Sequence, residues 1–145
     1  MGKRPPQSRS SKRPPATVAD LVGHAVSRFR AAKLVFAHGT SDPAAEAAFL
    51  VGEALHLPPQ RFDASARRRV SAAERAAVLD LIEARILTRK PAAYLVHKTY
   101  IQGVPFYVDE RVIVPRSYLG EILASDLIAE EGYALVDPRR VARVL

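Results

Sequence analysis

Arg-Lys-Pro-Ala-Ala-Tyr-Leu-Val-His-Lys-Thr-Tyr-Ile-Gln-Gly-Val-Pro-Phe-Tyr-Val-Asp-Glu-Arg-Val-Ile-Val-Pro-Arg-Ser, residues 89–117, is the one stretch of this chain whose apolar residues follow a strand-like rhythm. Its Gln102-Gly103 pair separates two β-rich runs, Lys98–Ile101 and Val104–Val108, and predicts a hairpin with its turn at that pair. Pro91, Pro105 and Pro115 make the backbone stiff and sharply routed. A stiff segment rich in Tyr and Arg between helical parts suits the wall of a site better than core filling.

Everything before this stretch reads as helix. Ser71 with Glu74 forms a capping box, and Val78, Leu79, Ile82 and Ile86 supply the buried stripe of a helix that ends by Pro91. Further upstream, Asp42-Pro43 places a capping acid before a proline at the first helical position. That helix runs from Ala44 to about Leu55; Ala44, Ala45, Ala47 and Ala48 let it pack closely on a neighbour, and Pro58-Pro59 stops it. Thr17 caps the first helix with Asp20 in its opening turn. Val18, Leu21, Val22, Ala25, Val26 and Phe29 carry it to about Lys33, before the polar turn His38–Asp42. Arg61–Arg69 is a basic connection with room for one short helix. Arg67, Arg68, Arg69 and Arg75 lie near a helix N-terminus, and read either as an anion-facing surface or as a solvated face.

Downstream, Ser117 is placed to cap a helix carrying Leu119, Ile122, Leu123, Leu127 and Ile128, which Gly132 ends. Val141–Leu145 reads as the beginning of a buried strand. The expected organisation is therefore a basic tail over 1–16, a helical domain over 17–90, a hairpin linker over 91–116, and the start of a further domain over 117–145.

Composition narrows the class. An apolar fraction of 48% in 145 residues suits a globular domain rather than a disordered chain. The absence of cysteine excludes disulfides, thiolate metal sites and a cysteine nucleophile. No apolar run is long enough for a membrane span, and the N-terminus has no apolar core of a secretory signal, so a cytoplasmic location is expected. Of the net charge of +7, residues 1–15 contribute Lys3, Arg4, Arg9, Lys12 and Arg13 with no acid; the other 17 of the 22 basic residues face all 15 acids. The tail is either a disordered solubilising leader or a weak electrostatic contact to RNA.

No catalytic set can be assembled from the residue types present. His24, His38, His56 and His97 lack metal-ligand spacing, the seven glycines never form Gly-x-Gly, and there is no asparagine. On these grounds the chain by itself is a binding module.

The run Phe106-Tyr107-Val108-Asp109-Glu110-Arg111-Val112-Ile113-Val114-Pro115-Arg116-Ser117 resembles the linker of the protein-(glutamine-N5) methyltransferases, and Arg89-Lys90-Pro91-Ala92-Ala93-Tyr94-Leu95 resembles the segment before it. His38-Gly39-Thr40 and Pro115-Arg116-Ser117-Tyr118-Leu119 are similar to the branch acting on ribosomal protein L-three. The release-factor branch instead reads Pro-Arg-Pro-Glu-Thr-Glu at the linker. The resemblance implies a small helical substrate-recognition domain, a hairpin linker and a Rossmann-like domain binding S-adenosylmethionine, together methylating a glutamine side-chain amide. It implies that Arg116 and Ser117 approach the cofactor, and that His38, Thr40, Tyr94 and Phe106 approach the protein substrate. Simpler readings stand beside these: Phe106 and Val114 as packed hydrophobes, Tyr94 as part of the hairpin core, and Thr40-Ser41-Asp42 as a helix cap.

Where the chain departs from the pattern, it lacks both the family's Asn-Pro-Pro-Tyr motif and its glycine-rich cofactor loop. The expected fold is thus mainly α, a small helical bundle followed by a β-hairpin linker and one helix, truncated at the start of a Rossmann-like domain. Alone it is expected to be inactive and not to bind S-adenosylmethionine. The rival reading is a non-enzymatic adaptor that binds RNA or the ribosome.

Overall fold

The computed structural model describes residues 14–36 and 42–115. Within them the chain forms α1 (Val18–Ala31), α2 (Pro43–Ala54), α3 (Ala72–Thr88), α4 (Ala92–Val96), β1 (Lys98–Ile101) and β2 (Val104–Tyr107), with two 3-10 turns, Pro59–Arg61 and Asp63–Ser65, between α2 and α3. The protein is mainly helical with one small antiparallel hairpin, as the sequence predicts. The helix expected after Ser117 and the strand expected from Val141 lie outside the described residues.

Side-chain caps set the three long helices. Thr17 Oγ1 accepts from Asp20 N (3.2 Å), while the Asp20 carboxylate accepts from Thr17 N (3.0 Å) and Ala16 N (3.1 Å). One Asp42 oxygen accepts from Ala44 N (2.7 Å) and Ala45 N (3.0 Å), and Pro43 opens the helix without a donor to satisfy. Ser71 and Glu74 form the expected reciprocal pair at 3.1 and 2.8 Å. The segment before α3 returns to α1 and takes up its remaining free amides: Val18 N donates to Arg68 O and Ala19 N to Ala66 O, both at 3.0 Å.

Val18, Leu21, Ala25 and Phe29 of α1 meet Ala47, Leu50 and Val51 of α2 and Val78 and Ile82 of α3, all fully buried in one core. Of the four alanines expected to pack closely, Ala47 does so; Ala44 and Ala45 face solvent because the helix turns them away from α1. Leu79 and Ile86 are only partly buried, and the stripe of α3 is completed by Arg85. Arg85 Nε donates to Glu46 Oε1, both side chains being almost wholly enclosed. A further guanidinium nitrogen of Arg85 donates to Val35 O at 3.3 Å, and the group lies over the Phe36 ring. One turn later, Arg89 donates to Ala32 O (3.1 Å) and Lys33 O (3.3 Å), placing a cation on the carbonyl end of α1.

The five-residue α4 was not expected from the sequence, which reads its residues as the approach to the hairpin. It is a seam: Ala92 belongs to the helical core, whereas Ala93 packs with Val108, Val114 and Tyr94 in a second cluster. His97, in the left-handed region at φ 52°, ends it and turns the chain into β1. The hairpin pairs Lys98 with Tyr107, Thr99 with Phe106, Tyr100 with Pro105 and Ile101 with Val104. Gln102 (φ 48°) and Gly103 (φ 78°) are both left-handed, the conformation a two-residue turn of the right twist needs. With Ile101 and Val104 flanking that turn and Val108 N bonded to His97 O, Pro105 falls at a position whose missing N–H faces away from β1. Proline thus costs the hairpin no hydrogen bond, and it blunts the free edge of β2 against pairing with another strand.

Candidate protein-binding face

One side of the hairpin is fastened to α2. Residues i and i+2 of a strand point the same way, so Lys98 and Tyr100 both project toward Glu53. Lys98 Nζ reaches Glu53 Oε2 at 2.6 Å and the Tyr100 hydroxyl donates to Glu53 Oε1 at 2.7 Å. The Glu53 side chain is 10% exposed, and the Phe49 ring meets Tyr100 edge-on at 6.4 Å. The hydrogen bond to Glu53 raises the Lys98 ammonium above its ordinary pKa; the same acceptor, with burial, raises that of the Tyr100 phenol.

Between α2, the 3-10 turns and the hairpin tip runs a groove of about 400 Å³, walled by Phe49, Gly52, Leu57, Phe62, Tyr100 and Gly103. Gly52 lets the Phe62 ring close onto α2, since a Cβ there would stand 3.2 Å from a ring carbon. The groove is apolar apart from Glu53, whose two oxygens are engaged by the hairpin.

β2 is exposed along its whole length. Val104 (54% exposed) and Phe106 (46%) occupy one face, and Tyr107 stacks on the His97 ring at 5.6 Å on the other. Beyond it, Asp109 accepts from the Arg111 backbone and guanidinium and from the Tyr107 hydroxyl, and these bonds, Arg111's first, hold its carboxyl well below the usual carboxylate range. Val112 and Ile113 follow, also exposed. The arrangement supplies no nucleophile or general base in a cleft. What it offers chemically is an aromatic and aliphatic face on a fixed hairpin, suited to contact with another protein.

Phe106 is therefore not the packed hydrophobe that the simpler reading expects: the second cluster closes over Val108 and Val114 instead, leaving Phe106 on the outer strand. Val114 is buried, as that reading holds. Tyr94 lies in the same cluster as Val114, and its hydroxyl donates to Val112 O at 2.7 Å. His38, Thr40, Arg116 and Ser117 lie outside the described residues. Of the basic group, Arg68 pairs with Glu74 at 2.9 Å and Arg75 donates to Pro15 O, which makes them framework; Arg67 and Arg69 are exposed. Among the described residues no cluster of His, Asp and Glu is placed to hold a metal ion, and no helix is long and apolar enough to cross a membrane. Glu46 and Glu53 were missed from sequence; the available signal was their spacing of seven on an otherwise apolar helix.

The profile of the PrmC N-terminal domain matches residues 20–96. The chain belongs to that family. The PrmC N-terminal match runs from the first turn of α1 to Val96, the last residue of α4. A protein from Bradyrhizobium diazoefficiens named ribosomal protein uL3 glutamine methyltransferase is 62% identical over 131 residues, covering 89% of this chain and 41% of that protein. Proteins of the same name from Burkholderia pseudomallei and Bordetella pertussis are 47% and 44% identical, covering 94% and 89% of this chain and 43% and 42% of themselves. The chain spans well under half the length of these relatives.

Proposed function

We propose that this chain is the substrate-recognition part of an S-adenosylmethionine-dependent methyltransferase that modifies a glutamine side-chain amide of ribosomal protein uL3, acting in the cytoplasm. The observation that carries the reading is the hairpin: its inner strand is locked to α2, while its outer strand holds Val104 and Phe106 out to solvent. The names of the relatives supply the substrate. In this reading residues 17–90 recognise uL3, 91–116 link onward, and 117–145 begin the cofactor-binding domain. Tyr94, Phe106, His38 and Thr40 are assigned to the substrate side, and Arg116 and Ser117 to the cofactor side.

The described residues do not fit S-adenosylmethionine. Its ribose hydroxyls and amino-acid end need several convergent polar groups, and the groove beside α2 offers a single carboxylate already engaged by Lys98 and Tyr100. No step of methyl transfer is assigned to them, and the chain alone is proposed to be inactive. Its contribution is orientation: in-line displacement at a methyl carbon requires the substrate amide to be held within a fraction of an ångström.

Titrating the full chain with purified uL3, against an unrelated ribosomal protein, tests this. Saturable binding of uL3 alone is expected. Equal binding of both proteins, or salt-sensitive binding to RNA in place of uL3, would overturn the reading and favour an RNA- or ribosome-binding adaptor.

A further inference from the structure

α2 carries two carboxylates seven residues apart, two turns along one face. Glu46 accepts from the backbone N–H of Ala92, the first residue of α4, at 3.2 Å, besides meeting Arg85. Glu53 accepts from Lys98 and Tyr100 of β1. The same helix therefore fixes the chain where it leaves the helical body and again where it enters the hairpin. A two-stranded hairpin is at best marginally stable on its own, and the apolar support of this one is a small cluster at its base and the Phe49 ring against Tyr100. Near its tip the hairpin stands off the 3-10 turns across the groove. On its α2 side the hairpin is held by the carboxylate of Glu53, which grips one strand at two points spaced i, i+2, beside the edge-on contact of Phe49 with Tyr100.

We propose that Glu53 is a positioning residue: by holding Lys98 and Tyr100 together it sets the hairpin in one orientation on α2 and so presents Val104 and Phe106 to the protein substrate. The second half of that statement rests on the uL3 reading above; the first does not. Glu53 itself faces the hairpin, not the partner, and its effect on binding passes through β1.

The test uses the full chain as wild type, E53Q, Y100F and the charge-reversed pair E53K/K98E. Two quantities are read: amide hydrogen exchange of residues 98–107 relative to α1 and α3, and affinity for purified uL3. In E53Q, protection of α1 and α3 should stay within about twofold, hairpin exchange should rise at least about tenfold, and uL3 binding should weaken by about tenfold, the equivalent of 1.4 kcal/mol. Y100F, which removes one bond and no charge, should give a smaller rise of about threefold. E53K/K98E should bring both readouts back most of the way, which a direct contact between Glu53 and uL3 would not. Unchanged hairpin exchange in E53Q overturns the proposal, as does lost affinity that the reversed pair does not restore. If wild type fails to bind uL3, the recognition reading falls, and the exchange ratios alone then decide for or against Glu53 as the anchor of the hairpin.

Discussion

The guanidinium of Arg85 meets the carboxylate of Glu46 where α2, α3 and the start of α4 converge, and both side chains are about 3–4% exposed. Charges so enclosed are tolerated only because each is balanced, and removing one partner from a buried pair costs about 3–5 kcal/mol. Arg85→Met should therefore lower the unfolding free energy by that order in urea titration. The double variant E46Q/R85M should recover much of the loss, because it leaves no unbalanced carboxylate inside. A Met variant as stable as wild type would show that water reaches Glu46. This pair explains a limit of the sequence reading. Leu79 and Ile86 are taken for the buried stripe because a charged residue is read as solvent-facing by default. The carboxylate of Glu46 on α2, with Val35 O and the Phe36 ring, turns Arg85 inward. A second residue-scale expectation concerns His56, exposed and left-handed at φ 52° just past α2. A Cβ in that conformation is strained, so His56→Gly should stabilise the fold by up to about 1 kcal/mol in the same titration; destabilisation would show that the imidazole makes a contact worth more than the strain.

At the scale of elements, the helix starts were legible and the ends less so. Thr17 with Asp20, Asp42 with Pro43, and Ser71 with Glu74 are caps whose chemistry is local, so the sequence displays them. The helices close instead through Lys33, His56, Arg89 and His97 in the left-handed region, where glycine would have been the visible signal. α4 leaves no signal in the sequence for the related reason that one turn has no period to read. The hairpin was legible because a two-residue turn needs positive φ twice, and Gln102-Gly103 sits between two strand-forming runs. Gly103→Ala should accordingly cost roughly 1 kcal/mol and raise exchange across 98–107 first; unchanged exchange there would mean that the turn tolerates a side chain. The lock on Glu53 adds a pH dependence. Lys98 and Tyr100 both have pKa values raised in the fold, so the folded hairpin holds protons that the unfolded chain releases. Their stabilisation is complete below the ordinary values of 10.0 for the phenol and 10.5 for the ammonium, and is lost as pH rises above these through the raised values of the fold. Hairpin exchange corrected for intrinsic rates should therefore accelerate above about pH 10 in wild type and show a flatter profile in E53Q. The caps work in the opposite sense. Asp20 and Glu74 are lowered, chiefly by the Thr17 hydroxyl and the Ser71 amide, so their contribution is present above the ordinary carboxylate range and disappears as pH falls below it.

For the molecule as a whole, the division between body and hairpin decides what a surface change can do. The helical core encloses residues of α1, α2, α3 and Ala92, and the second cluster gathers at the hairpin base, so neither draws on the side chains of Val104 and Phe106. Those two were legible as strand residues but not as surface, because the exposure of β2 depends on where α4 and Val114 pack. Val104→Ser with Phe106→Ser removes about half-exposed apolar area from a strand that buries none of its residues. Replacing surface residues of this kind changes stability by no more than about 0.5 kcal/mol each, so urea unfolding of the double variant should nearly overlay that of wild type. If the outer strand is the recognition face, affinity for uL3 should fall at least about tenfold, since a buried aromatic anchor is worth 2 kcal/mol or more at an interface. The comparison with E53Q separates two routes to the same loss. The serine variant should weaken binding with hairpin exchange unchanged, whereas E53Q should weaken it with exchange raised. Undiminished uL3 binding by a folded serine variant would move recognition away from the hairpin, to the groove beside α2 or to residues beyond 115.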